Sequence, residues 1–291
     1  MVTLGVRLKQ ASREPRQRAE QEADLMAGNV DLYNTSYSNS EHEVYSQIRR
    51  ETYGADLGLT SWVSAEEIEE IPRLLRIESS SHALEIGFGA GGCALYFAAK
   101  MGCRVSGIDV NPNGVRAAEH LARARQLQDH VEFHEHNAAA PLPFPDQAFD
   151  AAYSNDAFCH IPNRLRLLRE CRRVLKPGGR LLFSDALVVS GSITNEEIAT
   201  RSSIGYYLFV PLEENERLLR EAGFTLVSAI DTTERAALIS EKWRTARAKR
   251  KAELLKLEGE ANFEGLQKFL GSVHTLTNEK RLSRFVYVAA R

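Results

Sequence analysis

Apolar and polar positions follow two rhythms along the middle of this chain. Short β-rich runs occupy His82–Ile86, Arg104–Ile108, Val131–His134, Phe149–Ser154 and Arg180–Ser184. Helical patterns lie between them. One follows a glycine-rich turn and runs through Lys100, one covers Val115–Leu127 and one covers Leu165–Leu175. The last is predicted to stop at Lys176-Pro177-Gly178-Gly179, where Pro and Gly do not continue a helix. Strand–helix alternation of this kind predicts an α/β fold, a Rossmann-like, doubly wound, mostly parallel sheet with right-handed crossovers. Further along, Thr194–Gly223 is mostly helical, Thr225–Asp231 reads as a strand, and Phe285–Ala290 closes the chain as an alternating apolar strand. Between those two strands lie a long charged helical stretch, about Thr233 to Glu260, and a shorter one, about Phe263 to His274. Upstream, Ser64-Ala65-Glu66-Glu67 has the form of a capping box, so a helix should start there and end near Pro72 or a little beyond.

These patterns divide the chain into a charged tail (1–24), an N-terminal helical lid (25–80), a core (81–232) with helical cover at 194–223, a helical insert (233–280) and a last strand of the core sheet (281–291). Hydrophobic residues make up 43% and charged residues 26% of the 291 positions, as expected for a globular enzyme with a sizeable core. The formal net charge of −2 does not support binding to nucleic acid. No apolar run approaches a membrane span, and the tail mixes both charge signs, unlike a signal peptide. Cys93, Cys103, Cys159 and Cys171 form no C-x-x-C pair, and no His cluster beside them has zinc spacing. Buried reduced thiols, no metal and a cytoplasmic setting are expected.

Candidate chemistry begins at Leu84-Glu85-Ile86-Gly87-Phe88-Gly89-Ala90-Gly91-Gly92, which follows a strand and opens a helix. Glycines there permit positive φ and close approach of a ligand, and the helix start offers free N–H groups. By themselves Gly87, Gly89 and Gly92 also satisfy the dinucleotide pattern G-x-G-x-x-G. Glu85 would repel a pyrophosphate but suits a cationic ligand. Asp109, at the end of the second strand, can hold both hydroxyls of a ribose.

The Leu-Lys-Pro-Gly-Gly turn at 175–179 and the Pro-Leu-Pro-Phe…Phe-Asp stretch at Pro141–Asp150 complete a set of four motifs in order. With that set the chain resembles class I S-adenosylmethionine-dependent methyltransferases over roughly Ala83 to Asp185. It is similar to the small-molecule branch that includes sarcosine and dimethylglycine N-methyltransferases, phosphoethanolamine methyltransferases and quinone or tocopherol C-methyltransferases. The resemblance implies a seven-stranded sheet with an antiparallel last strand, and S-adenosyl-L-methionine as cofactor. It implies that Glu85, Gly87, Gly89 and Gly91 lie on the methionine and ribose side and that Asp109 binds the ribose. It places Val110 against the adenine face, Asn137 and Ala138 at the adenine amino group, and Asn155 at the methionine end. Asn137 departs from the usual Asp, although its amide oxygen still accepts a hydrogen bond. Trp62 is expected to close over the cofactor.

The acceptor should approach the end of the fourth strand. His160 is the candidate base, because an unperturbed imidazole titrates near neutrality. Tyr33, Tyr37, Asp156, Tyr206 and Tyr207 are the candidate acceptor contacts, and Arg201 is expected to face solvent rather than an anionic substrate. The predicted reaction is in-line methyl transfer to a small-molecule nitrogen or oxygen, and the chain is compatible with a homodimer. Three alternatives stay open: carbon methylation of an isoprenoid or aromatic acceptor, a nicotinamide-dependent oxidoreductase, and a non-catalytic S-adenosylmethionine-binding protein.

Overall fold

The computed structural model describes residues 30–291; the tail predicted at 1–24 lies outside the described residues. Eight strands form one sheet: β1 (His82–Ile86), β2 (Arg104–Asp109), β3 (Val131–Glu135), β4 (Phe149–Ser154), β5 (Leu175–Val189), β6 (Val210–Pro211), β7 (Thr225–Asp231) and β8 (Leu282–Ala290). Their order is β3-β2-β1-β4-β5-β8-β7, with the two-residue β6 attached to β5. β8 runs antiparallel to both neighbours, and β1 through β5 pair in parallel. The seven-strand path and the antiparallel last strand are those expected, and β6 is an addition.

The central strands β1, β4, β5 and β8 are mostly buried on both faces, which explains why they read as nearly continuous apolar runs. Alternation assigns each side chain to a face. Ala83, Tyr153, Leu182, Val286 and Val288 face one core. Leu84, Ile86, Phe149, Ala152, Phe183 and Tyr287 face the other.

The helices are α1 (Tyr33–Ser38), α2 (Glu43–Tyr53), α3 (Ala65–Leu75), α4 (Gly92–Met101), α5 (Pro112–Ala124), α6 (Arg164–Val174), α7 (Asn195–Arg201), α8 (Glu214–Glu221), α9 (Thr233–Lys249) and α10 (Lys251–Asn278). The capping box that starts α3 is present: Ser64 Oγ accepts the Glu67 N–H, and Glu67 accepts the Ser64 N–H. Pro72 stays inside that helix, which ends where Arg76 turns left-handed. α5 begins three residues before the predicted Val115, because Asn111 caps it and Pro112 occupies its first turn. The helical insert divides twice, at Arg250, which was not expected, and at the non-helical Gly259, close to the break expected near residue 260.

The N-terminal lid and the helical insert pack as one cover. α2 packs against α9. The Trp62 ring lies 5.7 Å from that of Trp243 and 6.2 Å from that of Phe269. On α9, Arg247 is 2% exposed and pairs with Glu258, which also accepts the Tyr45 hydroxyl. All four cysteines are buried and unbridged.

A buried charge network fastens this cover to the sheet. Arg284 on β8 donates to Asp156 Oδ1 at 2.8 Å and to Glu67 Oε1 at 2.6 Å. Asp156 also accepts the Trp62 N–H at 2.9 Å and the Ser184 hydroxyl at 2.9 Å.

Candidate active site

The chain runs outward from β1 through β2 to β3 and then crosses back to β4, so a crevice opens at the carboxyl ends of β1, β2 and β4, the usual ligand position of such sheets. A cavity of about 570 Å³ lies there. Glu85, Gly87, Gly89, Asp109, Val110, Asn137, Ala138 and Asn155 all line it, as do Tyr33, Tyr37, Asp156, His160 and Tyr206.

The glycine-rich loop joins β1 to α4. Gly89 has φ +59, and a Cβ there would stand 2.7 Å from the Tyr37 hydroxyl, so lid helix α1 rests directly on the loop. Gly92, the third glycine of the dinucleotide-like pattern, serves packing. A Cβ at Gly92 would lie 2.2 Å from the Leu57 carbonyl oxygen, and the loop at 58–61 thereby reaches the cavity wall. Gly91 differs from the expectation: it does not line the cavity. It caps α4 in a left-handed conformation, against Ala118 and Phe133.

Asp109 Oδ2 accepts the Gly89 N–H and Oδ1 the Asn111 N–H, both at 2.8 Å. Each oxygen keeps a lone pair, so the carboxylate can also take two ribose hydroxyls. Beside it, Val110 is 64% exposed on the cavity wall, an apolar surface suited to a flat base. Asn137 Oδ1 already accepts the Ala139 N–H at 2.9 Å, which leaves one lone pair for an adenine amino group. His136 and the 58–61 loop also line the cavity and were not singled out from sequence. No periodicity marks a loop that reaches a site from another part of the chain.

At the methionine end, Glu85 is 2% exposed and accepts the Tyr153 hydroxyl at 3.1 Å. Burial raises its pKa to about 8, against a smaller lowering by the Tyr153 hydrogen bond. A bound cation next to Glu85 favours the ionised form, so binding at neutral pH should release a proton. Below about pH 8, affinity for S-adenosylhomocysteine should therefore rise with pH, by up to about tenfold per unit, and level off above. Titration calorimetry in buffers of different ionisation enthalpy reads this proton release, and Glu85→Gln should abolish it. Asp109→Ala should weaken the same binding by about 1–3 kcal/mol, measured by the same titration.

The acceptor end departs furthest from expectation. His160 Nδ1 lies 3.0 Å from the Tyr206 carbonyl and Nε2 lies 2.8 Å from the Tyr33 hydroxyl. A carbonyl only accepts, so Nδ1 carries the proton and Nε2 accepts from Tyr33. Burial lowers the His160 pKa to about 4 rather than leaving it near neutrality. Burial likewise raises that of Tyr33. At neutral pH the pair is an uncharged Tyr–His couple whose phenol oxygen still has an open lone pair. Tyr207 does not line the cavity but packs at a tilt against His160, with ring centroids 4.3 Å apart. Asp156 touches the cavity, yet its carboxylate oxygens already accept from Arg284, Ser184 and Trp62, so it holds the fold rather than a substrate. Trp62 is 5% exposed in the core between Trp243 and Phe269 and does not line the cavity. Arg201 is likewise buried, not solvated.

Residues 84–183 match a family model described as a methyltransferase domain. The curated relatives extend beyond that domain. A 27-O-demethylrifamycin SV methyltransferase from Amycolatopsis mediterranei is 32% identical, over 57% of this chain and 62% of that protein. A phosphoethanolamine N-methyltransferase from Plasmodium falciparum is 28% identical, over 81% of this chain and 85% of that protein. The chain spans less than two thirds of the first curated relatives it matches, for instance 40% of a maize phosphoethanolamine N-methyltransferase. A solved phosphoethanolamine N-methyltransferase from Haemonchus contortus, in complex with S-adenosylhomocysteine, shares the fold with a TM-score of 0.74 at 21% identity. It covers 89% of this chain and 60% of the other. The matched segment carries the glycine-rich loop, Asp109 and His160, while Tyr33 and Tyr37 lie outside it.

Proposed function

We propose that this chain is an S-adenosylmethionine-dependent methyltransferase that acts on a nitrogen or oxygen of a small molecule. The observation that carries the reading is the cavity's two unlike ends: Glu85, the glycine loop and Asp109 at one, the Tyr33–His160 couple at the other. The residues present fit the cofactor. Asp109 and Val110 would hold its nucleoside and Glu85 its cationic end, and the resident glycines leave no side chain in its path. The cofactor supplies an electrophilic methyl group on a sulfonium.

The chain's own residues align the acceptor, exclude water and hold its proton. Tyr33 Oη accepts a hydrogen bond from an acceptor N–H or O–H while donating its own proton to His160 Nε2. The acceptor proton can thus pass to Tyr33 as the Tyr33 proton moves to His160. Of the 204–210 run, only Ile204, Gly205 and Tyr206 line the cavity. With Tyr33 and His160 opposite, that wall suits a polar acceptor better than an isoprenoid.

The proposal includes a small-molecule partner in place of nucleic acid, supported by the net charge of −2. It also includes a cytoplasmic setting, supported by the four unbridged thiols.

Acceptor screening by mass spectrometry tests the activity. Products one methyl group heavier, formed with S-adenosylhomocysteine, are expected from small amines or alcohols. Tight nicotinamide-dinucleotide binding without S-adenosylhomocysteine binding would overturn the reading.

A further inference from the structure

Asp109 on β2 stands opposite Glu135 on β3 in a parallel pair, so the residues that follow, Val110 and His136, leave the sheet side by side. The backbone holds them there: the His136 N–H donates to the Asp109 carbonyl at 2.8 Å. Both residues line the cavity at its nucleoside end, where Val110 offers an apolar face to a flat base.

His136 is partly buried, and its ring is fixed. Nε2 lies 3.0 Å from the Pro141 carbonyl oxygen. A carbonyl only accepts, so Nε2 carries the ring proton, and in the neutral imidazole Nδ1 carries a lone pair. A hydrogen bond at one ring nitrogen is the general means by which a protein makes the other an acceptor. Among the described residues the bond to Pro141 is the ring's one hydrogen bond, which leaves Nδ1 open. Asn137, the residue expected at the adenine amino group, is turned differently. It is exposed, its Oδ1 accepts the Ala139 N–H at 2.9 Å and its carbonyl accepts the Ala140 N–H at 2.8 Å. Its side chain thus folds back on its own turn. Of the two neighbours, His136 has the acceptor that no donor in the protein competes for.

We propose that His136 is the residue that specifies adenine: its Nδ1 accepts a hydrogen bond from the exocyclic amino group of the cofactor, and the Pro141 carbonyl sets the tautomer that makes this possible. This rests on the methyl-transfer reading and adds a base-reading residue to it. A hypoxanthine base, in which a carbonyl oxygen replaces the amino group, would set two acceptors against each other. A site built around a hydrogen bond rejects the analogue that cannot make it.

The test compares S-adenosylhomocysteine with S-inosylhomocysteine, which differs in that group, by titration calorimetry on the full chain. S-adenosylhomocysteine binding is measured first; its absence overturns the methyl-transfer reading itself. The unaltered chain should bind the adenosine ligand at least about tenfold more tightly, the worth of one hydrogen bond made against one lost. His136→Phe keeps a flat ring without an acceptor and should reduce that preference by about tenfold. His136→Asn offers an amide oxygen near the position of Nδ1 and should retain more of the preference than His136→Phe. A merely structural His136 would change both affinities alike and leave their ratio in place. Should His136→Phe not fold, His136→Ala reads the same ratio. No preference in the unaltered chain, or a ratio that survives the loss of His136, overturns the proposal. A ratio lost in Asn137→Ala but not in His136→Phe overturns it too and returns the amino group to Asn137.

Discussion

Tyr33→Phe is expected to lower kcat by about 10²-fold, toward the low end of what general acid–base help contributes, while S-adenosylhomocysteine binds as before. The variant keeps the ring and its packing against His160 and removes only the oxygen 2.8 Å from Nε2. His160→Ala should cost a similar factor, and the double variant should be little worse than either single one, because the two groups act as one relay. The pH profile separates this couple from a free histidine base. With the His160 pKa lowered to about 4 by burial, kcat should show no histidine inflection between about pH 5 and 8. An inflection near 6.5 that disappears in His160→Ala would show a histidine titrating as though exposed. Full activity in Tyr33→Phe would remove the relay from the mechanism.

The second large effect concerns stability. Arg284→Met should lower the free energy of unfolding by about 3–5 kcal/mol, the usual cost of breaking a buried ion pair by removing one partner. A whole domain typically has only about 5–15 kcal/mol. Asp156 and Glu67 would be left buried without their cation, at 7% and 5% exposure. Adding Asp156→Asn to Arg284→Met should recover part of the loss, since it removes one of the stranded charges. Urea unfolding reads both. A change within 0.5 kcal/mol in Arg284→Met, typical of a surface substitution, would show that the network does not hold the cover. The same variant should weaken S-adenosylhomocysteine binding, because Asp156 fixes the Trp62 backbone and hence the 58–61 loop that lines the cavity.

The pattern of apolar positions placed β1, β4 and β7 at their observed ends, came within one residue for β2 and β3 and three for β8, and fell five residues short at each end of β5. For the central strands it succeeded because strands buried on both faces have few other ways to be written; β7, at the sheet's edge, was legible from alternation over its first residues. The Lys176–Gly179 turn shows a subtler agreement. β5 runs through it by backbone geometry. In the β4 ladder, however, those four residues stand between the pairs Phe149↔Leu175 and Ala151↔Arg180 without partners. The chain does leave the ladder there, as Pro and Gly require. The Asn111–Pro112 start of α5 carried a recognisable signal, a cap followed by Pro at the first helical position.

The sheet, the glycine-rich loop and the acidic end of β2 were legible in the order of residues alone. Each is built from neighbours within one strand–turn–helix unit, so local spacing carries the geometry. The tertiary structure alone decided what the polar side chains do. Tyr33 meets His160 across 127 positions, Arg284 meets Glu67 across 217, and Arg201 meets the rings of Trp62, Tyr207 and Phe269. Periodicity says only that a position faces inward. Whether a buried imidazole, carboxylate or guanidinium is neutral, paired or left waiting for a ligand depends on the group opposite it in a medium without water.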